Sequence, residues 1–345
     1  MSDIDTMKPF MSVLATGKSL TRQEAGDAFK AILSGAATPG QIGAFLMALS
    51  QRGETLDELL AGAELMRELV VPVDAPDNAI DTCGTGGDAG SAGGGTYNIS
   101  TAVAFVLAGC GVPVAKHGNR SLSSKSGSSE VLEQMGVNLS LSPERISTCI
   151  HEAGMGFMFA PAHHSAMKHV GPVRAELGIR TIFNLLGPMS NPAVAKYQLM
   201  GVFDDKWLTP LAETLKGLGS QKAWVVHGSD GLDEITTTGP TSVAALEDGT
   251  VRRFDVSPED AKLPRAEPKD LRGGSPEENA DAMKALLSGE KSAYRDIVVL
   301  NSAAGLIVAG QAEDLENGAR MAEQAIDGGK AKTALDKLIE ISQQG

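Results

Sequence analysis

The stretch that decides the fold spans residues 81–130. It reads DTCGTGGD (81–88), AGSAGGGTYNIST (89–101) and, after an apolar run, VAKHGNRSLSSKSGSSE (114–130). A short apolar strand at 79–83 is predicted to run into a glycine turn. A helix is predicted to open at 98–101, and a second strand, 112–116, to end in a loop of cations and hydroxyls. This order of elements predicts a βαβ unit.

The residue types of this stretch suit a bound phosphate. Glycines let the backbone approach an anion closely, and the start of a helix offers N–H groups and a positive dipole end. Lys116, Arg120 and Lys125 add positive charge, and no acidic residue stands between Asp88 and Glu130. Each feature alone is also typical of an ordinary turn, helix cap or solvated surface. Their combination in one βαβ unit predicts an anion site.

Two common phosphate motifs do not fit this stretch. A dinucleotide site needs an acidic residue roughly 20 positions after its glycines, but the first acid after Asp88 is Glu130. The Gly-x-x-x-x-Gly-Lys-Ser/Thr loop of nucleoside triphosphatases does not occur. The anion is therefore expected to be of another kind.

Composition limits the functional classes. The chain has 345 residues, 42% of them hydrophobic and 4% aromatic, with a net charge of −13. So negative a chain is not expected to bind nucleic acid or an anionic membrane. Three dispersed cysteines and an N-terminus without a signal-peptide pattern predict a cytoplasmic protein with reduced thiols.

The chain divides into two predicted domains. Residues 1–74 are expected to form a small helical domain, because Thr21, Thr38 and Thr55 each begin a capping-box pattern before an amphipathic run. The exposed faces of these helices are either solvated or a dimer surface. From residue 75 to 345, strand and helix patterns alternate, with strands at 155–160, 198–203 and 223–227, helices at 143–153 and 207–218, and a buried helix at 301–310. The fold class is therefore α/β, with a mostly parallel central sheet flanked by helices.

Two later segments carry candidate site residues. Residues 159–188 interrupt the strand–helix pattern and carry Arg174 and Arg180; three histidines there, at 163, 164 and 169, could be a metal cluster, although sequence neighbours on a helix point apart. Asp233 and Glu234 follow the strand at 223–227. Paired carboxylates are oxygen ligands of the kind that Mg²⁺ prefers, and both are expected to face a wet cleft.

GTGGD, NIST, KHGNR, SSKSGS and GLDE together resemble the anthranilate phosphoribosyltransferase family of tryptophan biosynthesis. The resemblance extends from about residue 21 to about residue 323. Two departures are the long insert at 89–95 and Ser165, where the family usually has proline. The glycine-rich insert is expected to be flexible and to close over a bound substrate.

The resemblance implies transfer of the phosphoribosyl group of 5-phosphoribosyl 1-pyrophosphate to the amine of anthranilate. It implies Mg²⁺, two ions per subunit, held by Ser100, Asp233 and Glu234. It places anthranilate against Gly84, Asn119 and Arg174, with Arg180 as the alternative arginine. It places phosphoribosyl pyrophosphate against Gly84, Gly87, Asp88, Thr96, Asn98, Ile99, Ser100, Thr101, Lys116, His117, Gly118, Asn119, Arg120, Ser121, Leu122, Ser123, Ser124 and Ser128.

The resemblance also implies further features of the protein. No covalent nucleophile is expected, and His117 could orient the amine or take up a proton. The chain is expected to form a homodimer through its helical domain, joined by a helical excursion near 163–186. Two other functions share this fold: a nucleoside phosphorylase, whose glycine-rich sequence differs from KHGNR, and a nucleic-acid-binding relative, which the negative charge and intact acid pair oppose.

Overall fold

A computed structural model describes residues 6–86, 95–120 and 126–344. The described helices are α1 (Lys8–Leu14), α2 (Arg22–Leu33), α3 (Pro39–Arg52), α4 (Leu56–Leu69), α5 (Ile99–Gly109), α6 (Ser128–Gln134), α7 (Pro143–Ala153), α8 (Ala160–His163), α9 (Gly171–Leu177), α10 (Ile182–Leu186), α11 (Leu208–Gly217), α12 (Pro276–Leu287), α13 (Ala293–Val308), α14 (Leu315–Asp327) and α15 (Lys330–Gln343). The described strands are β1 (Ile80–Gly84), β2 (Val114–Gly118), β3 (Met155–Phe159), β4 (Tyr197–Gly201), β5 (Lys222–Gly228), β6 (Thr241–Glu247) and β7 (Thr250–Val256).

Helices α1 to α4 form a helical unit, and α2, α3 and α4 begin where the sequence predicts. The capping boxes at Thr21, Thr38 and Thr55 are confirmed: each hydroxyl accepts from the backbone N–H three residues on, and each partner side chain accepts from the threonine N–H. Residues 159–188, which we call the return segment, pack onto this unit. The rings of Phe29 on α2 and Phe183 on α10 meet edge to face with centroids 6.0 Å apart. One apolar core thus joins α2, α3 and α4 to α9 and α10.

The described strands form one sheet in the order β3-β2-β1-β4-β5-β6-β7. The first five strands of that order are parallel, with Gly84 of β1 level with Gly201 of β4. Strands β6 and β7 are antiparallel and were not predicted from the sequence. Asp248 and Gly249 join them with φ of 49° and 71°. An Asp-Gly pair between two short apolar runs is a hairpin signal that could have revealed both strands.

The strands of the βαβ unit begin one or two residues later than predicted. Pro113 is the reason for β2, because proline has no N–H to donate to a ladder and its carbonyl instead accepts from Ile80 N at 2.9 Å. Lys116 and His117 consequently lie within β2, whereas the sequence analysis placed them at the start of a loop. The predicted helix at 143–153 is confirmed, and the buried run at 301–310 belongs to the longer α13.

A second core lies between the sheet and the carboxyl-terminal helices. Helix α5 is buried against α13, α14 and α15, and its Gly109 touches the backbone of Ala331, so that no side chain fits there. In the ranges that the structure describes, no helix is long and apolar enough to cross a membrane.

Candidate active site

Four parallel strands end in glycine at the same edge of the sheet: Gly84, Gly118, Gly201 and Gly228. A Cβ atom added at any of the four would collide with a neighbouring group. Gly84 lies against the side chain of Asp233 and Gly201 against its backbone, and the Phe157 ring lies 2.6 Å from where a Cβ atom of Gly118 would stand. The carboxyl edge of a parallel sheet is where ligands bind in open α/β folds. The bare backbone at this edge therefore marks the site.

The acid pair is fixed by a tightly bonded loop between β5 and β6. Asp230 Oδ2 accepts from the hydroxyls of Thr236 and Thr238, each at 2.7 Å. Asn301, fully buried on α13, accepts from Ile235 N at 2.9 Å and donates to Ile235 O at 2.8 Å. These contacts set the backbone on both sides of Asp233 and Glu234.

The prediction that Asp233 faces a wet cleft is wrong. Asp233 is 8% exposed, and its Oδ2 accepts from the backbone N–H of Gly86 at 2.8 Å. The reason is the pair of side-chain-free positions on β1 and β4, Gly84 and Gly201, against which the aspartate packs. Asp233 thereby joins the β5–β6 loop to the glycine turn after β1.

Lys116 was expected at the start of a phosphate-binding loop, but it is buried beneath this edge of the sheet. Its Nζ donates to the Thr82 carbonyl and to Ser100 Oγ, the latter at 3.2 Å. Burial lowers the pKa of Lys116, while the nearby carboxylates of Asp81 and Glu234 oppose that shift. The ammonium therefore contacts Ser100 at the start of α5 and lies near enough to Glu234 for that charge to act on it.

Asp81 is a site-forming residue that the sequence analysis did not select. It is fully buried in β1, and its Oδ1 accepts from the backbone N–H of His117 at 3.1 Å. Burial raises the pKa of Asp81 to about 6, an effect partly offset by Asn191 and by the charge of Lys116. A carboxylate inside an apolar strand was the signal that could have found it.

The start of α5 is held by a side-chain network. Asn98 Oδ1 accepts from Asn279 Nδ2 at 2.9 Å and from Ser126 Oγ at 3.3 Å. Ile99 and Thr101 point into the core, at 2% and 0% exposure, so any contact they make with a ligand comes from the backbone. No local pattern indicated Asn279, which is 181 residues from Asn98.

The loops beyond β1 and β2 are described in part. The predicted residues Gly87, Asp88, Ser121, Leu122, Ser123 and Ser124, and the insert up to residue 94, lie outside the described residues. Thr96 forms an antiparallel bridge with Arg272. Asn119 Oδ1 accepts from Arg120 N at 2.8 Å, and the Arg120 guanidinium lies 5.9 Å from the centroid of the Phe159 ring. Ser128 begins α6 beside Gly118.

The two candidate arginines have different surroundings. Arg174, on α9, is half-buried, and its Nη2 donates to Asn184 Oδ1 at 3.3 Å. Burial lowers its pKa. Arg180 is exposed, and its guanidinium lies 4.2 Å from the centroid of the Phe203 ring. Partial burial and hydrogen bonding to an amide leave Arg174 more pre-organised to receive a carboxylate.

The three histidines of the return segment face different partners. His163 Nδ1 lies 2.9 Å from Val71 O, and His164 Nε2 lies 3.1 Å from His117 Nε2. The ring of His169 lies against Gly35. Within the described ranges, no three His, Cys, Asp or Glu side chains gather closely enough to hold a metal ion.

The donor set at the sheet edge nevertheless suits Mg²⁺ shared with a phosphorylated ligand. Ser100, Asp233 and Glu234 supply hard oxygen atoms, and the neighbouring Lys116 and Gly86 N–H orient two of them. Mg²⁺ is commonly held by one or two carboxylates together with substrate phosphates. Two carboxylates and a hydroxyl fit that partial shell.

Comparison with known proteins shows that the chain has the two domains of a glycosyl transferase family. A family model described as "Glycosyl transferase family, a/b domain" matches residues 76–332, and one described as "Glycosyl transferase family, helical bundle domain" matches residues 8–70. Together they span both the helical unit and the sheet with its glycine-ended strands.

The particular family follows from individual relatives. The anthranilate phosphoribosyltransferase of Methylocella silvestris is 57% identical over 341 residues, covering 99% of this chain and 97% of the relative. That of Rhodospirillum rubrum is 59% identical, with 97% and 95% covered. The chain belongs to the anthranilate phosphoribosyltransferase family.

Solved structures agree with this assignment. The crystal structure of anthranilate phosphoribosyltransferase from Thermus thermophilus has a TM-score of 0.90 at 41% identity, covering 96% of this chain and 99% of that one. The Saccharomyces cerevisiae enzyme in complex with PRPP and Mg has a TM-score of 0.88 at 26% identity, with 99% and 98% covered.

Proposed function

We propose that the protein transfers the phosphoribosyl group of 5-phosphoribosyl 1-pyrophosphate to the amine of anthranilate, giving N-(5-phosphoribosyl)anthranilate and pyrophosphate, in tryptophan biosynthesis. The observation that carries this function is that Asp233 lies on the backbone of Gly84 and Gly86, while Lys116 of the neighbouring strand donates to Ser100 at the start of α5. The names of the relatives support it, as does the yeast relative with PRPP and Mg.

The residues of the site suit a reaction driven by departure of the leaving group. The amine of anthranilate is a poor nucleophile, because its lone pair is delocalised into a ring that also carries a carboxylate. We assign the phosphates to the glycine turn, the start of α5 and Lys116, and the carboxylate of anthranilate to Arg174. Holding both substrates in place removes entropy from the barrier. Fixed donors stabilise charge that develops on the pyrophosphate.

Ser100, Asp233 and Glu234 would hold Mg²⁺, which when bound supplies Lewis-acid stabilisation of the leaving group. The burial of Asp233 and its bond to Gly86 fix one carboxylate before any ligand arrives. Two ions per subunit are part of the proposal, since phosphoribosyl pyrophosphate offers two groups of phosphate oxygens.

Three further features complete the proposal. The helical domain, residues 1–74 together with the excursion near 163–186, forms the contact of a homodimer, and residues 75–345 bind phosphoribosyl pyrophosphate. The protein works in the cytoplasm. We also assign each predicted site residue to the substrate or metal ion that the family resemblance implies for it.

Loss of anthranilate fluorescence tests the function directly. We expect it on adding phosphoribosyl pyrophosphate and Mg²⁺ to the protein and anthranilate, and not when either is left out. A second reaction with inosine and inorganic phosphate tests the nucleoside phosphorylase alternative. Release of hypoxanthine without consumption of anthranilate would overturn the proposal.

A further inference from the structure

Helix α5 begins at an asparagine that does not cap it. Asparagine is among the strongest N-cap residues, because its side-chain oxygen can accept from the backbone N–H two or three residues on. Asn98 occupies the N-cap position of α5, but among the described residues its side chain bonds to no N–H of that helix. Its φ and ψ are −77° and 71°, which is not the extended backbone of an ordinary N-cap. The side chain is directed elsewhere.

Other helices of this protein show what an N-cap normally does here. Seven of the described helices, α2, α3, α4, α7, α12, α13 and α14, begin at a threonine, serine or aspartate whose side chain accepts from the backbone N–H three residues on. The ψ angles of these N-cap residues lie between 156° and 174°. Asn98 therefore differs from them in both its backbone and its side chain.

Asn279 on α12 holds the side chain of Asn98. Asn279 is 1% exposed; its Nδ2 donates to Asn98 Oδ1 at 2.9 Å, and its Oδ1 accepts from Gly274 N at 2.8 Å. A backbone N–H can only donate, so the oxygen of Asn279 must face Gly274 and its NH₂ group must face Asn98. One backbone N–H thereby sets the orientation of both amides.

Asn98 is held from two further directions. Ser126 Oγ donates to Asn98 Oδ1, and Asn98 Nδ2 donates to Ser126 O, both at 3.3 Å. The Tyr294 hydroxyl donates to the Asn98 carbonyl at 3.3 Å, while its ring stacks on that of Tyr97 with centroids 4.3 Å apart. The side-chain oxygen of Asn98 thus accepts two hydrogen bonds, which fill its two lone pairs. No lone pair of that oxygen is left for the helix.

We propose that Asn279 is a positioning residue for phosphoribosyl transfer: it keeps Asn98 from capping α5, and so leaves the N–H groups of Ser100 and Thr101 open to a substrate phosphate. This rests on the proposed function. The first N–H groups of a helix have no partner within the helix, and a cap at Asn98 would take that of Ser100 or Thr101. Phosphate groups bind at the same donors. A cap and a phosphate would therefore compete.

Asn279→Ala tests the proposal by releasing Asn98. The freed side chain should cap α5, so that phosphoribosyl pyrophosphate must displace it before binding. We expect the KM for phosphoribosyl pyrophosphate to rise about tenfold, within the range that a helix cap supplies. The kcat and the KM for anthranilate should stay within about twofold of wild type, since only one substrate meets the cap. A crystal structure of the variant should show Asn98 Oδ1 within hydrogen-bonding distance of the N–H of Ser100 or Thr101.

A second substitution separates capping from loss of packing. Adding Asn98→Ala to Asn279→Ala removes the competing cap, since alanine has no side-chain acceptor. The double variant should have a KM for phosphoribosyl pyrophosphate at least about threefold lower than that of Asn279→Ala, although it carries one more substitution in the site. Loss of packing alone would leave the KM of the double variant equal or higher.

Ser275→Ala is the matched control on the same helix. It removes the hydroxyl that accepts from Glu278 N at 3.2 Å and caps α12, but it leaves Asn279 in place. We expect wild-type KM values. Asn279→Asp serves if the alanine variant does not fold, because it has the same shape and keeps an acceptor for Gly274 N but cannot donate to Asn98. It should raise the same KM, and Asn98→Ala should again lower it.

An unchanged KM for phosphoribosyl pyrophosphate in the Asn279 variants would overturn the proposal. So would a raised KM that Asn98→Ala does not lower, an equal rise in Ser275→Ala, or a variant structure in which Asn98 leaves the helix uncapped. A wild-type protein that does not consume anthranilate with phosphoribosyl pyrophosphate would instead disprove the proposed function.

Discussion

Asp233 shows how little freedom the residues of this site have. Its carboxylate accepts from Gly86 N, and it packs against the side-chain-free positions Gly84 and Gly201. A side chain at position 84 or at position 201 would displace Asp233. At the scale of single residues, the site is built by leaving side chains out as much as by adding charged ones.

The double variant Asp233→Ala with Glu234→Ala should lower kcat/KM by about 100-fold or more, since metal stabilisation of the leaving group contributes several kcal/mol. The fold should persist, because Asp230 and Asn301 still hold the loop. The measurement is Mg²⁺-dependent turnover, with circular dichroism to check folding. The control is Asp204→Ala with Asp205→Ala, which removes two consecutive acids away from the site. It should change neither the turnover nor the circular dichroism spectrum. Turnover near wild type in the first variant would remove the pair from the metal site.

Arg174→Ala should raise the KM for anthranilate far more than that for phosphoribosyl pyrophosphate. Losing a charge-assisted carboxylate contact costs about 1.5–3 kcal/mol, which corresponds to about 10- to 150-fold. Steady-state kinetics with each substrate varied in turn gives both values. Arg180→Ala, which alters an exposed arginine stacked on Phe203, serves as the control. Equal effects of Arg174→Ala on the two substrates would make that arginine structural.

Among the elements, the helical unit depends on how its helices begin. Glu58, in the capping box of α4, is fully buried and accepts from Thr55 N at 2.9 Å and from Leu20 N at 3.0 Å. It also pairs with Arg52. One carboxylate therefore caps α4 and ties it to the chain before α2 and to the end of α3.

Glu58→Ala should lower the free energy of unfolding by about 3 kcal/mol, because it leaves two backbone N–H groups without their acceptor and the half-buried Arg52 without its carboxylate. Chemical denaturation measures the loss. Glu24→Ala removes the equivalent residue from the capping box of α2, where the hydrogen bond of the glutamate is exposed to solvent, and should cost clearly less. Similar losses in the two variants would show that only the capping interaction matters.

For the molecule as a whole, the buried Asp81 makes stability depend on pH. Its pKa is about 6 in the folded protein against an ordinary value of 3.8. Between these values the folded state binds more protons than the unfolded state, so this group makes the free energy of unfolding fall as pH rises. The size of the effect is about 3 kcal/mol for a shift of about two units.

Asp81→Asn removes this titration and keeps a side-chain oxygen for the N–H of His117. Relative to wild type, the variant should gain stability as pH rises from about 4 to about 6, the window between the two pKa values. Urea denaturation of both proteins across this range gives the difference, in which the other titrating groups cancel. A difference that does not change with pH would show that Asp81 titrates normally.

The proposed homodimer is also a property of the whole molecule. Met47 on α3 and Leu56 on α4 are large apolar side chains of the helical domain that are 41% and 42% exposed. Replacing both by glutamate should shift the protein toward monomer in analytical ultracentrifugation, since charges in an apolar contact are costly. Val194→Glu, at an exposed valine of the other domain, should not. An unchanged mass in the double variant would place the contact elsewhere.

Local chemistry in the sequence determined much of this protein. Three capping boxes predicted where helices begin, because their partners are three residues apart. The order of strand, glycine turn, helix and strand in residues 81–130 predicted the βαβ unit and the edge that forms the site. The KHGNR and GLDE motifs indicated the family. Each of these signals needs only residues close together in the chain.

Only the tertiary structure decided which distant groups meet. Asp233 reaches Gly86 across 147 residues, Asn279 reaches Asn98 across 181, and His164 reaches His117 across 47. Such contacts follow from strand order and helix packing, which local periodicity does not encode. Burial, too, belongs to the assembled fold: it placed Lys116 under the sheet edge instead of in a loop, and it is the largest influence on the proton affinities of Asp81, His117 and His164, because desolvation depends on every neighbour that excludes water.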